Sequence, residues 1–384
     1  MAQEPSTGRR ALCAERVFDG RKWHDFAAVL IERGRILGLS GWSDLPGDVA
    51  RHDAPKGAIL APGLIDLQVN GGGGVLLNDR PTPEGMLAIA RAHRRLGTTA
   101  LLPTLITDAR EKMDAAIAAA RSVAGADGVL GLHLEGPYLS PARPGVHRKD
   151  RLVRAQMRDV ESLRDLPARS LVTLAPECVP DGFVRELAAA GIRVSAGHSE
   201  ATADRVLQAI DEGLTGVTHL FNAMPPLMGR APGIVGAALA EPRLTAGLIV
   251  DGFHVDPVSV RAAFAAKGAS AIALVSDAMP TVGGALREFD LMERRIVLSD
   301  GKLTTEEGTL AGAHLDMACA VRNAVTMAGI PLADALRAAT FTPAVFLGVE
   351  QERGAFVPGA HGDLLCLLPA LTVHSVWVGG ELIG

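Results

Sequence analysis

IRVSAGHSEATADRVLQAIDEGLTGVTHLFN, residues 192–222, carries one complete unit of the architecture. IRVSAGH (192–198) is an apolar run of strand length that ends on His198. EATADRVLQAIDEG (200–213) has apolar residues at i, i+3 and i+4 and closes on glycine, the pattern of an amphipathic helix with a C-terminal stop. GVTHLFN (216–222) is a second apolar run, carrying His219 and Asn222. Strands that are apolar almost throughout and joined by a helix read as neighbours in a buried parallel sheet.

The same alternation extends in both directions. Further strand-length runs are LIDLQVNG (64–71), TTALLPT (98–104), VLGLHLEG (129–136), LVTLAPE (171–177), TAGLIVDG (245–252) and AIALVSDA (271–278), which makes eight. Helical patterns lie at 83–97, 110–125, 181–191 and 256–268. Eight such units predict an α/β fold, a closed (β/α)8 TIM-like barrel, with a doubly wound open sheet as the competing arrangement. Polar residues arbitrate between them. Gln68, Asn70, Thr104, Glu135, Glu177, His198, His219, Asn222, Asp251, His254 and Asp277 fall at or just past strand ends. A barrel gathers all these ends at one mouth, where barrel enzymes carry their chemistry; an open sheet scatters them.

The flanks have a different texture. Segments 10–18 and 23–40 are apolar runs punctuated by Asp19-Gly20 and Arg33-Gly34, and 362–369 and 373–383 repeat the pattern at the other end. Neither piece is large enough for a core of its own, so the two are expected to pair as a small β-sandwich domain of residues 1–60 plus 354–384, leaving 61–353 as the catalytic barrel.

Composition narrows the function. The 384 residues carry a net charge of -5, so no basic footprint favours nucleic acid or an anionic membrane. No apolar run reaches the length of a membrane span, and the polar start MAQEPSTGRR lacks the apolar region of a signal peptide. Cys13, Cys178, Cys319 and Cys366 are scattered without a CxxC. A cytoplasmic protein with reduced thiols is expected.

One carboxylate and two imidazoles on separate strand ends, Glu135, His198 and His219, suit a catalytic divalent metal that keeps an open position for water. Each histidine could equally be a hydrogen-bonded core residue. His133, two residues before Glu135, shares its inward face and reads as a barrel-layer residue. Asp277 at the eighth strand end could accept a proton from water and return it to a leaving group, or cap the following segment. His147, Asn222, Arg230 and His254 lie on mouth loops where an anion such as phosphate could be held; for Arg230 the alternative is a solvated loop charge. The run Asn70-Gly-Gly-Gly-Gly lacks the features of a nucleotide loop. His24, His52, His93, His361 and His374 read as surface or helix residues, and a barrel that has lost its chemistry would be expected to lack part of the Glu135, His198, His219 and Asp277 set.

The runs PGLIDLQVNGGGG (62–74), HLEGPYLS (133–140), GVH (145–147), LAPE (174–177), AGHSEAT (196–202), THLFNAM (218–224), DGFHV (251–255) and VSDAM (275–279) together resemble the N-acetylglucosamine-6-phosphate deacetylase family of the amidohydrolase superfamily. The resemblance implies one divalent metal per subunit, zinc first and iron, cobalt or manganese as alternatives, on Glu135, His198 and His219. It implies Asp277 as acid/base and His147 as a second catalytic group that polarises the acetamide. Asn222, Ala223 through its backbone, His254 and Arg230 would contact a phosphorylated amino sugar, with Arg230 supplied across a homodimer. AGAHLDM (311–317) stands where the family often has a Ser-rich loop, and His314 and Leu315 are expected to touch substrate there. Gln68-Val69-Asn70 replaces the His-x-His of dinuclear relatives, which argues for a single metal.

Overall fold

The computed structural model describes residues 8–47 and 49–383; the polar stretch 1–7 lies outside them. Eight parallel strands form the central sheet: Leu64–Val69, Thr98–Ile106, His133–Glu135, Leu171–Leu174, Arg193–Ala196, Gly216–Val217, Thr245–Leu248 and Ile272–Leu274. Each pairs in parallel with its neighbours in chain order. The first and eighth strands meet through a parallel bridge between Val69 and Ala278, with Asp277 N–H donating to the Gln68 carbonyl and Asn70 N–H to that of Ala278. That seam closes the sheet, so no strand is left with an unpaired edge.

The helices form where the periodicity places them. Thr82, Thr202 and Asp256 cap Pro83–Arg94, Ala203–Asp211 and Pro257–Lys267 by accepting backbone N–H bonds in the first turn. Arg110–Val123, Asp159–Leu163, Phe183–Ala189, Gly233–Ala240, Met317–Thr326, Leu332–Ala339 and Phe341–Leu347 are the other α-helices. Asp316 is the N-cap of Met317–Thr326 and accepts from Cys319 N–H. His93 is not a surface residue: it is buried at the inner face of its helix, its Nε2–H donating to the Gly71 carbonyl at 2.9 Å.

The chain ends do build one separate sheet. Its order runs Glu381–Ile383, Val373–Val378, Leu364–Leu367, Ile59–Pro62, Arg10–Phe18, Trp23–Glu32, Arg35–Gly41, with Ala50–Asp53 added beside Arg10–Phe18. The join between the two ends is the antiparallel pairing of Leu364–Leu367 with Ile59–Pro62.

An element absent from the sequence reading follows the eighth strand. Glu288–Leu291, Arg294–Ser299 and Lys302–Thr304 make a three-stranded antiparallel flap. Leu291, Ile296, Leu298 and Leu303 pack over Leu76, Ile106 and Met279, which seats the flap on the barrel mouth. No helix among the described residues is long and apolar enough to cross a membrane.

Candidate active site

Three strands stop in the same unusual way. His198, His219 and Asp277 lie two or three residues past their strands and have φ of +48°, +33° and +50°. Non-glycine residues adopt this region uncommonly, at a cost of roughly 1–3 kcal/mol each, and His and Asp are among those that tolerate it best. The break in each strand ends its up-down alternation at the mouth, and pairing holds it: Asp277 N–H bonds to Gln68 and Leu220 N–H to Gly247.

These breaks bring Glu135, His198 and His219 together. Glu135 Oε1 is 2.9 Å from His219 Nε2 and 3.3 Å from His198 Nε2, and the two nitrogens are 3.0 Å apart. Ligands about 2.0–2.1 Å from a tetrahedral ion stand about 3.3 Å from one another, so the three atoms need little movement to hold a divalent metal. His198 Nδ1–H donates to the Arg143 carbonyl at 2.8 Å, which leaves its Nε2 lone pair for the ion. Gly145 permits this: a Cβ there would stand 3.0 Å from the His198 ring. Burial alone would raise the Glu135 carboxyl, but the adjacent His198 and His219 imidazoles hold it well below the usual range. Burial opposes a charged His219, and its bond to Glu135 outweighs that and raises it.

Asp277 faces this cluster. Burial and the Glu135 charge push it up to about 6, against the pull of His219, His254 and Asn70. Asn70 Nδ2 donates to its Oδ1 at 2.7 Å and Gln68 Nε2 to the same oxygen at 3.2 Å, so Oδ2 is the oxygen left for chemistry. Gln68 Nε2 also lies 3.2 Å from both Glu135 oxygens. Amide N–H groups thus fill the space where His-x-His would bind a second cation. Glu177 is turned away, bonded to Ser199 Oγ and Glu200 N–H.

His147 Nδ1 accepts from Thr107 Oγ1 at 2.9 Å and from Thr107 N–H at 3.3 Å. Burial and His198 lower it to about 3. It is therefore neutral, with the proton on Nε2 available as a donor. His133 sits one layer down, between Thr173 Oγ1 and Thr104 Oγ1, and burial lowers it to about 4. It is a barrel-layer residue, as the sequence implies.

Glu135, His147, His198, His219, Asn222, Ala223, His254 and Asp277 all line one cavity of about 420 Å³. His254 Nδ1–H donates to Asp251 Oδ2 at 2.6 Å, leaving Nε2 free; burial opposes the charge on Asp251, and His254 holds it below the usual range. Arg230 is exposed and does not line the cavity of its own chain. His314 and Leu315 are not there either. Ala313 forms a parallel bridge with Ala278, which sends His314 outward to bond Thr281 Oγ1 at 2.9 Å and packs Leu315 into the core. The same loop contributes Leu310 and Gly312 instead, Gly312 because a Cβ would come within 2.6 Å of Met279. The sequence reading also missed Lys302 and Thr309, which reach the cavity from the flap region. A signal existed: Asp300-Gly301, both at positive φ, is a two-residue hairpin turn.

Comparison with known proteins agrees with this geometry. An N-acetylgalactosamine-6-phosphate deacetylase of Shewanella sp. (strain ANA-3) is 40% identical over 365 residues, 94% of this chain and 92% of that protein. The Homo sapiens N-acetylglucosamine-6-phosphate deacetylase is 36% identical over 348 residues, 85% and 84% of the two chains. The crystal structure of N-acetylglucosamine-6-phosphate deacetylase from Pasteurella multocida superposes with a TM-score of 0.92 at 33% identity, covering 98% of this chain and 100% of that one. A mutant of the Mycobacterium smegmatis N-acetyl-D-glucosamine-6-phosphate deacetylase, in complex with N-acetyl-D-glucosamine-6-phosphate, gives 0.89 at 30% identity, covering 98% and 99%. The pattern of the amidohydrolase family matches residues 59–383, from the last strand before the barrel to the end of the terminal sheet. With a closed barrel, its polar strand ends at one mouth and that match over most of its length, the chain belongs to the amidohydrolase family.

Proposed function

We propose that the protein hydrolyses the N-acetyl amide of N-acetyl-D-glucosamine 6-phosphate, giving D-glucosamine 6-phosphate and acetate, in amino-sugar breakdown. The observation that carries this reading is the convergence of Glu135, His198 and His219 beside Asp277 in one cavity. Two imidazoles and a carboxylate without cysteine are a set that suits zinc. Bound there, the ion would supply Lewis-acid chemistry, polarising an acetamide carbonyl and acidifying a water.

The side chains supply the rest. Asp277 Oδ2 takes a proton from the attacking water and passes it to the amide nitrogen, so that a neutral amine leaves. His147 Nε2–H donates to the carbonyl oxygen as negative charge builds on it. Asn222, the Ala223 backbone and His254 take the sugar phosphate, and Arg230, outside its own cavity, reaches the phosphate of a partner in a homodimer. The protein works in the cytoplasm with one metal per subunit.

The test is acetate release from N-acetylglucosamine 6-phosphate, with the unphosphorylated sugar alongside. Fast release from the phosphate ester alone supports the reading; no release from either by metal-loaded protein overturns it. A second reading, the galacto epimer as substrate, is favoured by the name of the 40% identical Shewanella relative. The same assay run on N-acetylgalactosamine 6-phosphate decides between them.

A further inference from the structure

We infer that Lys302, carried on the flap after the eighth strand, is a phosphate-binding residue of the chain's own active site. The inference rests on the phosphosugar reading above and assigns it a cation that the motifs do not contain.

The argument begins with charge. A sugar phosphate brings up to two negative charges into a cavity already lined by Glu135 and Asp277. Arg230 is outside that cavity in its own chain. Among the residues lining it, Lys302 is the one lysine or arginine. Its ammonium has no hydrogen-bond or ion-pair partner among the described residues, whereas Arg143 and Arg148 on the mouth loops are paired with carboxylates. An unpaired ammonium facing a cavity is free to meet an anion without first giving up a salt bridge.

Position ties it to the phosphate end. Lys302 opens the last flap strand, directly after the Asp300-Gly301 turn. That turn rests on the loop after the seventh barrel strand: a Cβ on Gly301 would lie 3.6 Å from the ring of Phe253, the residue before His254. The flap is held down by Leu291, Ile296, Leu298 and Leu303 packed against Ile106 and Met279. Lys302 is therefore delivered on a rigid hairpin beside the histidine proposed to take the phosphate. Its half-buried position limits the water that would otherwise screen it.

The test compares wild type, Lys302→Ala and Lys302→Arg, all metal-loaded, on N-acetylglucosamine 6-phosphate and on N-acetylglucosamine, together with calorimetric titration of inorganic phosphate. In Lys302→Ala, KM for the phosphate ester is expected to rise about 10- to 100-fold, the scale of one charge-assisted bond, with kcat within about threefold of wild type. The ratio of kcat/KM between phosphorylated and unphosphorylated sugar should fall by the same factor, inorganic phosphate should bind correspondingly more weakly, and Lys302→Arg should restore most of both. Equal losses on both sugars would assign Lys302 to the sugar ring or to folding, and unchanged phosphate affinity in Lys302→Ala would remove it from the site; either overturns the inference. Should wild type release no acetate from the phosphate ester, the substrate reading fails on its own, and the phosphate titration still decides Lys302.

Discussion

Replacing Asn70 by alanine should move the pH dependence of the reaction, and the structure fixes the direction. Asn70 Nδ2 donates to Asp277 Oδ1 at 2.7 Å inside a buried site. That bond favours the carboxylate over the acid, and so opposes the burial and the Glu135 charge that lift Asp277 to about 6. Hydrogen bonds to charged groups contribute about 1.5–3 kcal/mol, and one pKa unit corresponds to about 1.4 kcal/mol. Losing the bond should therefore raise the Asp277 pKa by about one to two units. With Asp277 as the proposed base, the acid limb of kcat/KM should shift to higher pH by that amount. A bound divalent cation lowers the pKa of a neighbouring carboxylate in wild type and variant alike, so the displacement between the two profiles is the quantity to read.

The assay is acetate release across about pH 5 to 9, with metal content measured in both proteins. At neutral pH the variant should lose about tenfold in kcat with little change in KM, because Asn70 and Gln68 hold Oδ1 and thereby aim Oδ2. A profile that drops uniformly while its acid limb stays in place would refute the reasoning: Asn70 would then matter for shape, not for the charge on Asp277.

Four further outcomes follow from the same geometry. Asp277→Asn should retain metal and substrate binding and lose nearly all turnover, checked by elemental analysis beside the rate; a normal rate removes Asp277 from the chemistry. Glu135→Gln should come out of purification with less than one metal per chain, since it replaces the charged member of the proposed metal-binding set, beside His198 and His219, by an amide. Asp251→Asn should raise KM for the phosphate ester about tenfold with kcat near wild type, because the 2.6 Å bond that orients His254 loses its charge. Asp66 is buried beneath the site, and burial raises its carboxyl to about 7. The folded state therefore takes up a proton between about pH 4 and 7, and this group's contribution to stability declines as pH rises through that window. Asp66→Asn should raise Tm at about pH 8 by about 2–4 °C and leave it nearly unchanged near pH 4, at the lower edge of that window.

What could be read in the sequence was what a barrel imposes. Eight apolar runs ending in polar residues are legible because parallel strands are buried on both faces, and closure sends their ends to one mouth. Glu135, His198, His219 and Asp277 could thus be grouped without coordinates, although they span 143 positions of the chain. His93 lies in a helix, one of the two readings the sequence offered, but its burial was not legible, because the helix turns it under the Gly71 loop, a contact that no local pattern encodes. The flap was missed for a related reason. Its first turn uses Met292 and Glu293 at positive φ, residues that announce nothing, and only Asp300-Gly301 at its second turn had a recognisable form.

His314 and Leu315 mark where motif reading gives out. The order of runs along the chain places a loop near the mouth but does not say which of its residues face inward. That depends on register. The bridge between Ala313 and Ala278 makes the start of this loop an extra, very short strand beside the eighth, and a one-residue slip in such a strand exchanges inward and outward faces. With Ala313 in register, Gly312 borders the cavity, His314 turns out to Thr281, and Asp316 becomes a helix cap. The side chains that a Ser-rich loop would have offered are therefore not replaced by their sequence neighbours. In this chain the polar groups on that wall come from Thr309 and Lys302, from the flap region that precedes the register-setting bridge. The same bridge ties the loop to the site: Ala313 N–H donates to the Asp277 carbonyl and Met279 N–H to that of Ala313, so the backbone that carries Asp277 also sets the register that turns His314 outward.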